Sequence, residues 1–144
     1  MTMQSTSLAL AAALSLAVSG AAAAATTHLM ANLAGANEKP TAGDAKASGM
    51  AHVQVDTDKN QVCYELTTKD LAQPIMAHIH KGGADAAGPV AVALTPPDAN
   101  GHSQGCASVD AAVAKDIAAN PAGYYVNVHS ATYKAGAIRG QLGK

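Results

Sequence analysis

From residue 27 onward the chain alternates apolar and polar side chains in short runs broken by turn formers, the period of a strand with one buried face. Thr27 to Leu33 reads as a first strand, followed by the turn-rich Gly35-Ala36-Asn37-Glu38-Lys39-Pro40 and a small, polar connector over residues 41–48. Gly49 to Thr57 sets Ala51, Val53 and Val55 against Met50, His52 and Gln54. After Asp58-Lys59-Asn60, Val62, Tyr64 and Leu66 resume the alternation with Cys63 and Glu65 opposite, which predicts a hairpin. Ile75, Ala77 and Ile79 then alternate with Met76, His78 and His80 up to Lys81-Gly82-Gly83. Gly88 to Leu94 is a short apolar strand, and the Pro96–Gly101 loop, extended to His102, follows it. Ser108 caps a predicted helix with Val109, Val113 and Ile117 on one stripe, which Asn120-Pro121 ends. Tyr124, Val126 and Val128 alternate with Tyr125, Asn127 and His129, and a last strand runs from Ala137 to Leu142.

Seven short alternating strands with one late helix predict an all-β, mainly antiparallel fold: a Greek-key-like β-sandwich with one short inserted helix. No internal repeat or second domain is visible, and 144 residues suit one domain. A net charge of -1 gives no electrostatic case for nucleic acid or an anionic membrane. With no Phe or Trp, the core must be built from Val, Ile, Leu, Ala and a few tyrosines, and so small a core benefits from a staple.

Residues 1–25 read as a signal peptide and 26–144 as the mature domain. Leu8 to Ala25 is uncharged and ends in Ala23-Ala24-Ala25, a small-x-small cleavage pattern with Thr26 as the mature start. The leader MTMQSTS lacks the usual Lys or Arg, and a retained anchor is the rival, although the run is weakly hydrophobic for a span. Export places the protein in the periplasm or outside the cell, with no membrane contact after cleavage. There Cys63 and Cys106 read first as one disulfide; the alternative is a thiolate that binds metal.

The chemistry concentrates on histidine. His78 and His80, two apart on a strand, project from one face, and His129 lies on the polar side of another strand. If the two strands are neighbours, three imidazoles converge without disturbing the core. Such a set suits copper, zinc or nickel and leaves a position open. The bland alternative is three solvated histidines on an outer sheet face. Every methionine after residue 25 also sits two residues from a histidine: His28-x-Met30, Met50-x-His52 and Met76-x-His78. These five residues (His28, Met30, Met50, His52 and Met76) form a second candidate metal set. Imidazole with thioether favours copper, Cu(I) especially, although methionine also serves as packing filler.

Taken together, these residues resemble a chordin-type (CHRD) domain. The matching segments are Leu33-Ala34-Gly35-Ala36-Asn37-Glu38 with Pro40; Gly49-Met50-Ala51 through Val55-Asp56; Ala77-His78-Ile79-His80-Lys81-Gly82; Gly88-Pro89-Val90; Tyr125-Val126-Asn127-Val128-His129; and Ile138-Arg139-Gly140-Gln141-Leu142. The resemblance implies an antiparallel sandwich similar in style to copper–zinc superoxide dismutase. It also implies recurrent polar positions at Glu38, His78, His80, Asn127, His129 and Arg139. Glu38, Asn127 and Arg139 would then support the histidines, with Arg139 either holding an anion or pairing with Glu38. In chordin itself the domain belongs to an extracellular protein that binds growth factors. The His/Met enrichment at 28, 30, 50, 52 and 76 departs from the family pattern.

Three functions follow. The first is an exported copper-binding protein (Cu+ or Cu2+, with zinc second) for storage, delivery or tolerance, working as a homodimer or with a metallochaperone partner. The second is a dismutase-like redox enzyme, although no His-rich loop with an Asp stands out for zinc and fold analogy does not carry function. The third is an extracellular binding module without metal. No elbow serine, phosphate-cradling loop or telling carboxylate pair points to other chemistry.

Overall fold

The structure, a computed structural model, describes residues 26–144; the leader 1–25 lies outside the described residues. Eight strands and one α-helix, besides two single-turn 3-10 segments (Gly35–Asn37 and Pro121–Gly123), are present among them: β1 (Thr26–Ala34), β2 (Ser48–Asp56), β3 (Gln61–Lys69), β4 (Pro74–Lys81), β5 (Val90–Leu94), β6 (His102–Ser108), α1 (Ala111–Ala119), β7 (Tyr124–Ser130) and β8 (Ile138–Gln141). They make one sheet in the order β5-β4-β7-β8-β1-β2-β3-β6, with every pairing antiparallel. The all-β fold expected from the alternation is therefore present as a continuous sheet that nearly closes around one core. The crossings from β3 to β4 and from β5 to β6 give it a Greek-key character.

The core is where the pattern puts it. Leu29, Leu33, Val53, Val55, Val62, Leu66, Ile79, Val126 and Val128 are buried, each such side chain contributing roughly 1.5–3 kcal/mol by leaving water. Ile75 departs from expectation: it is 42% exposed, because the β4–β7 register shifts between Pro74 and Met76 and lifts the strand's start off the core.

Strand β6 is the element the alternation does not reveal. Its inward positions are the small residues Ser103, Gly105 and Ala107, because Tyr64 fills the space beneath them. A Cβ on Gly105 would stand 2.8 Å from the Tyr64 hydroxyl. That hydroxyl accepts the Thr95 N–H at 2.8 Å, and the Ser103 hydroxyl donates to the Thr95 carbonyl at 2.7 Å. Chain leaving β5 is thus held against β3 and β6, and the gap between the edge strands is narrowed. Cys63 and Cys106 are directly opposed in the β3–β6 register and form a disulfide, so neither thiolate is offered to a metal.

The helix starts later than the sequence suggests. Asp110, not Ser108, is its N-cap; Ala114 and Ile117 are buried while Val113 is only partly so. Asp116 anchors it to the sheet, accepting from Lys81 Nζ at 2.8 Å, the Tyr124 hydroxyl at 2.6 Å and Asn120 at 2.8 Å. Those donors, Lys81 first, hold its carboxyl well below the usual range.

Candidate metal centre

Strand β7 positions the site because it is buried along its whole length. Tyr124, Val126 and Val128 face the core, while Tyr125, Asn127 and His129 face the other side beneath the loops. In the β4–β7 register Met76 stands opposite His129, His78 opposite Asn127 and His80 opposite Tyr125. The β4–β5 register slips by one residue between Ile79 and His80, a bulge of the kind that re-aims a side chain beside a site.

The three sequence-predicted histidines are brought together. One ring nitrogen from each of His78, His80 and His129 lies within 4.8 Å of the others, so the three could hold a metal ion. His78 Nδ1 is 3.2 Å from His129 Nε2. His80 and His129 are each fixed by their far nitrogen, Nδ1, at 2.8 Å from the carbonyls of Gly88 and Lys134 respectively. A carbonyl can only accept, so both Nδ1 atoms carry the hydrogen and both Nε2 atoms present a lone pair, that of His129 toward His78 Nδ1, the arrangement that orients metal-binding imidazoles. His80 Nε2 is buried without a hydrogen-bond partner. An orphaned lone pair in that place fits a metal well.

Burial lowers the pKa of His78 and His80. The neighbouring His129 and His80 reinforce the effect at His78, and the Gly88 carbonyl and Asn127 partly offset it at His80. Both rings are therefore held neutral near pH 7, and neutral imidazole is the ligating form.

The supporting residues named from the sequence lie beside this trio. Asn127 is opposite His78 on β4 and Arg139 on β8. The Arg139 guanidinium lies 3.3 Å above the Tyr125 ring, and Tyr125 stacks on His80 at 4.8 Å with an interplanar angle of 2°. One Arg139 nitrogen, Nη2, donates to the Gly83 carbonyl at 2.7 Å and to Gln141 Oε1 at 3.2 Å, tying the 82–88 loop over the site. Glu38 is 3% exposed, and burial pushes its carboxyl up to about 7 although Arg139, Asn127 and the Lys39 N–H pull the other way. Its carboxyl packs on Gly136, whose φ of +146° lies where L side chains rarely go and whose place a Cβ could not share with the carboxyl. Among the described residues, the buried side-chain polar atoms left without a partner are Glu38 Oε1, His80 Nε2, Asn127 Oδ1 and Arg139 Nη1, all in this neighbourhood.

Three contributors are not evident from the sequence alone. The Gly88 and Lys134 carbonyls are backbone groups and leave no side-chain signal. Tyr125 did leave one, since it shares the Asn127 and His129 face by period; its stacking on His80 required the register.

The second candidate set does not assemble as five residues. Met30 stands directly opposite His52 across β1–β2, His28 opposite Gln54 and Met50 opposite Asn32, so these four share one exposed patch. Met76 lies on β4, with β7 and β8 between it and β1, beside the imidazole trio. His102 starts β6, its Nε2 3.8 Å from Glu65 Oε1.

Against known families, residues 29–142 match the CHRD domain. No curated protein and no solved structure matches the chain.

Proposed function

The chain belongs to the CHRD-domain family, and on that premise we propose that it is an exported module that binds copper through His78, His80 and His129. One observation carries the reading: three imidazole nitrogens lie within 4.8 Å of one another, and the one on His80 is buried, unpartnered and fixed by a carbonyl behind it. Incidental surface histidines have no reason to be tied in this way.

Copper is favoured over zinc by the neighbour on the open side. Met76, 42% exposed, faces His129 across the β4–β7 pair and offers a thioether to the same rim. Bound there, copper would supply a Lewis-acidic, one-electron centre; the chain's own part is to orient the rings, keep them neutral and cover one side. The Cys63–Cys106 disulfide fits a secreted protein, and no helix among the described residues is long and apolar enough to cross a membrane. With residues 1–25 removed as a signal peptide, the mature domain would act in copper storage, delivery or tolerance.

The test is an elemental metal count on protein from its own host, followed by titration of the apo form with Cu(II), Cu(I) and Zn(II). Copper bound tighter than micromolar, and lost when His129 is replaced, is the expected result. A chain that takes up no metal at that strength would sink the reading and leave a metal-free extracellular binding module.

A further inference from the structure

We propose that the outer face of β1 and β2 carries a second, separate site for Cu(I), built on Met30 and His52 with His28 and Met50 beside them. The pairing register supplies the geometry. Met30 and His52 are directly opposed, a relationship that places Cβ atoms about 4.5–5.5 Å apart on one face. His28 stands two residues before Met30 on β1, and Met50 two residues before His52 on β2, both on that same face. In the antiparallel pair they flank the central two on opposite sides, at diagonal spacings of about 7–8 Å that long side chains span. Two thioethers and two imidazoles thus share one small patch.

Burial removes the ordinary explanation for the methionines. Met30 is 49% exposed and Met50 40%, whereas their strand neighbours Leu29, Ala31, Ala51 and Val53 are at most 2% exposed. Neither thioether fills the core, so packing does not account for either. A thioether carries no proton and no charge, and with imidazole it makes a soft ligand set that takes Cu(I) in preference to Zn(II) or hard cations. Glu65 stands opposite His52 on β3 and lends negative charge to the same face. The patch is independent of the imidazole trio on β4 and β7, since β8 lies between β7 and β1.

The experiment uses the full chain and Cu(I) in competition with a chromophoric Cu(I) chelator. Wild type, His129→Gln, and each of these carrying Met30→Leu with Met50→Leu are compared, with Zn(II) titrated in parallel. Leucine at two exposed positions leaves the fold intact, which the far-ultraviolet dichroism and melting curve of each variant confirm. The expected result is that His129→Gln keeps one Cu(I) equivalent, which the leucine pair abolishes. In the wild-type background the leucine pair removes that same equivalent and leaves Zn(II) binding unchanged. The proposal is overturned if His129→Gln binds no Cu(I), or if the leucine pair changes neither count nor affinity. Failure of the imidazole trio alone reads differently: His129→Gln would match wild type, while the leucine pair would still remove an equivalent.

Discussion

His78 and His129 meet across the β4–β7 pair with Nδ1 and Nε2 3.2 Å apart, on strands that a 42-residue stretch separates in sequence, residues 82 to 123. Burial first, and then the neighbouring His129, depress the pKa of His78. His78 is also the least buried of the three and has no carbonyl behind it, so it is the ring to remove first. His78→Gln should weaken copper binding by about a hundredfold or more while changing stability by less than about 1 kcal/mol. Chelator competition and urea unfolding on one preparation measure both, and an unchanged affinity would remove His78 from the site.

Glu38 makes a prediction about pH. Its carboxyl ionises near 4.5 when unfolded and is raised to about 7 when folded. Between those values the unfolded chain has released a proton that the folded chain keeps, so stability falls as pH rises from about 4.5 to about 7 and then levels off. The depressed histidines act in the opposite sense, lowering stability as pH falls below their unfolded value of 6.5. They are common to both chains, so the wild-type minus Glu38→Gln difference in unfolding free energy isolates the carboxyl. That difference should decline across the window; a flat curve would show that Glu38 is not raised.

Tyr125 joins the loop to the ring stack. Its hydroxyl accepts the Gly88 N–H at 3.1 Å, and the Gly88 carbonyl in turn fixes His80. Tyr125→Phe keeps the stacking and loses one hydrogen bond, about 1 kcal/mol. Amide exchange over residues 82–88 should quicken and metal affinity should drop modestly, whereas equal exchange in both chains would sever the link between loop and ring.

Removing the covalent cross-link should be felt by the whole domain. Cys63→Ser with Cys106→Ser frees a loop with a sequence separation of 43, which the chain-entropy account values at about 4 kcal/mol. Denaturant midpoints measured with and without reductant check this, and a double-serine chain as stable as the oxidised protein would refute it.

Much of the site was legible because a strand has a period of two. Alternation alone put His78, His80 and His129 on faces opposite the core, and it also placed Tyr125, Asn127 and the exposed methionines. What it could not supply was which strands are neighbours. That information moved Met76 from the β1–β2 patch to the imidazole trio and brought Arg139 onto Tyr125. Strand β6 was hidden for a different reason: its inward residues are small because a large residue on the next strand, Tyr64, fills their space. Ile75 shows the converse, an apolar residue of the right period that a register shift exposes. The role of residues 1–25 stays with the sequence alone.

The burial of β7 on both faces has a consequence for folding. Val126 and Val128 belong to the core and Asn127 and His129 to the imidazole side, so a slip of one residue would exchange the two sets. The same error would push histidine into the apolar interior and withdraw a ligand from the trio. Copper uptake by this trio would then double as a check on strand register: chains that hold the ion would be those that had paired correctly.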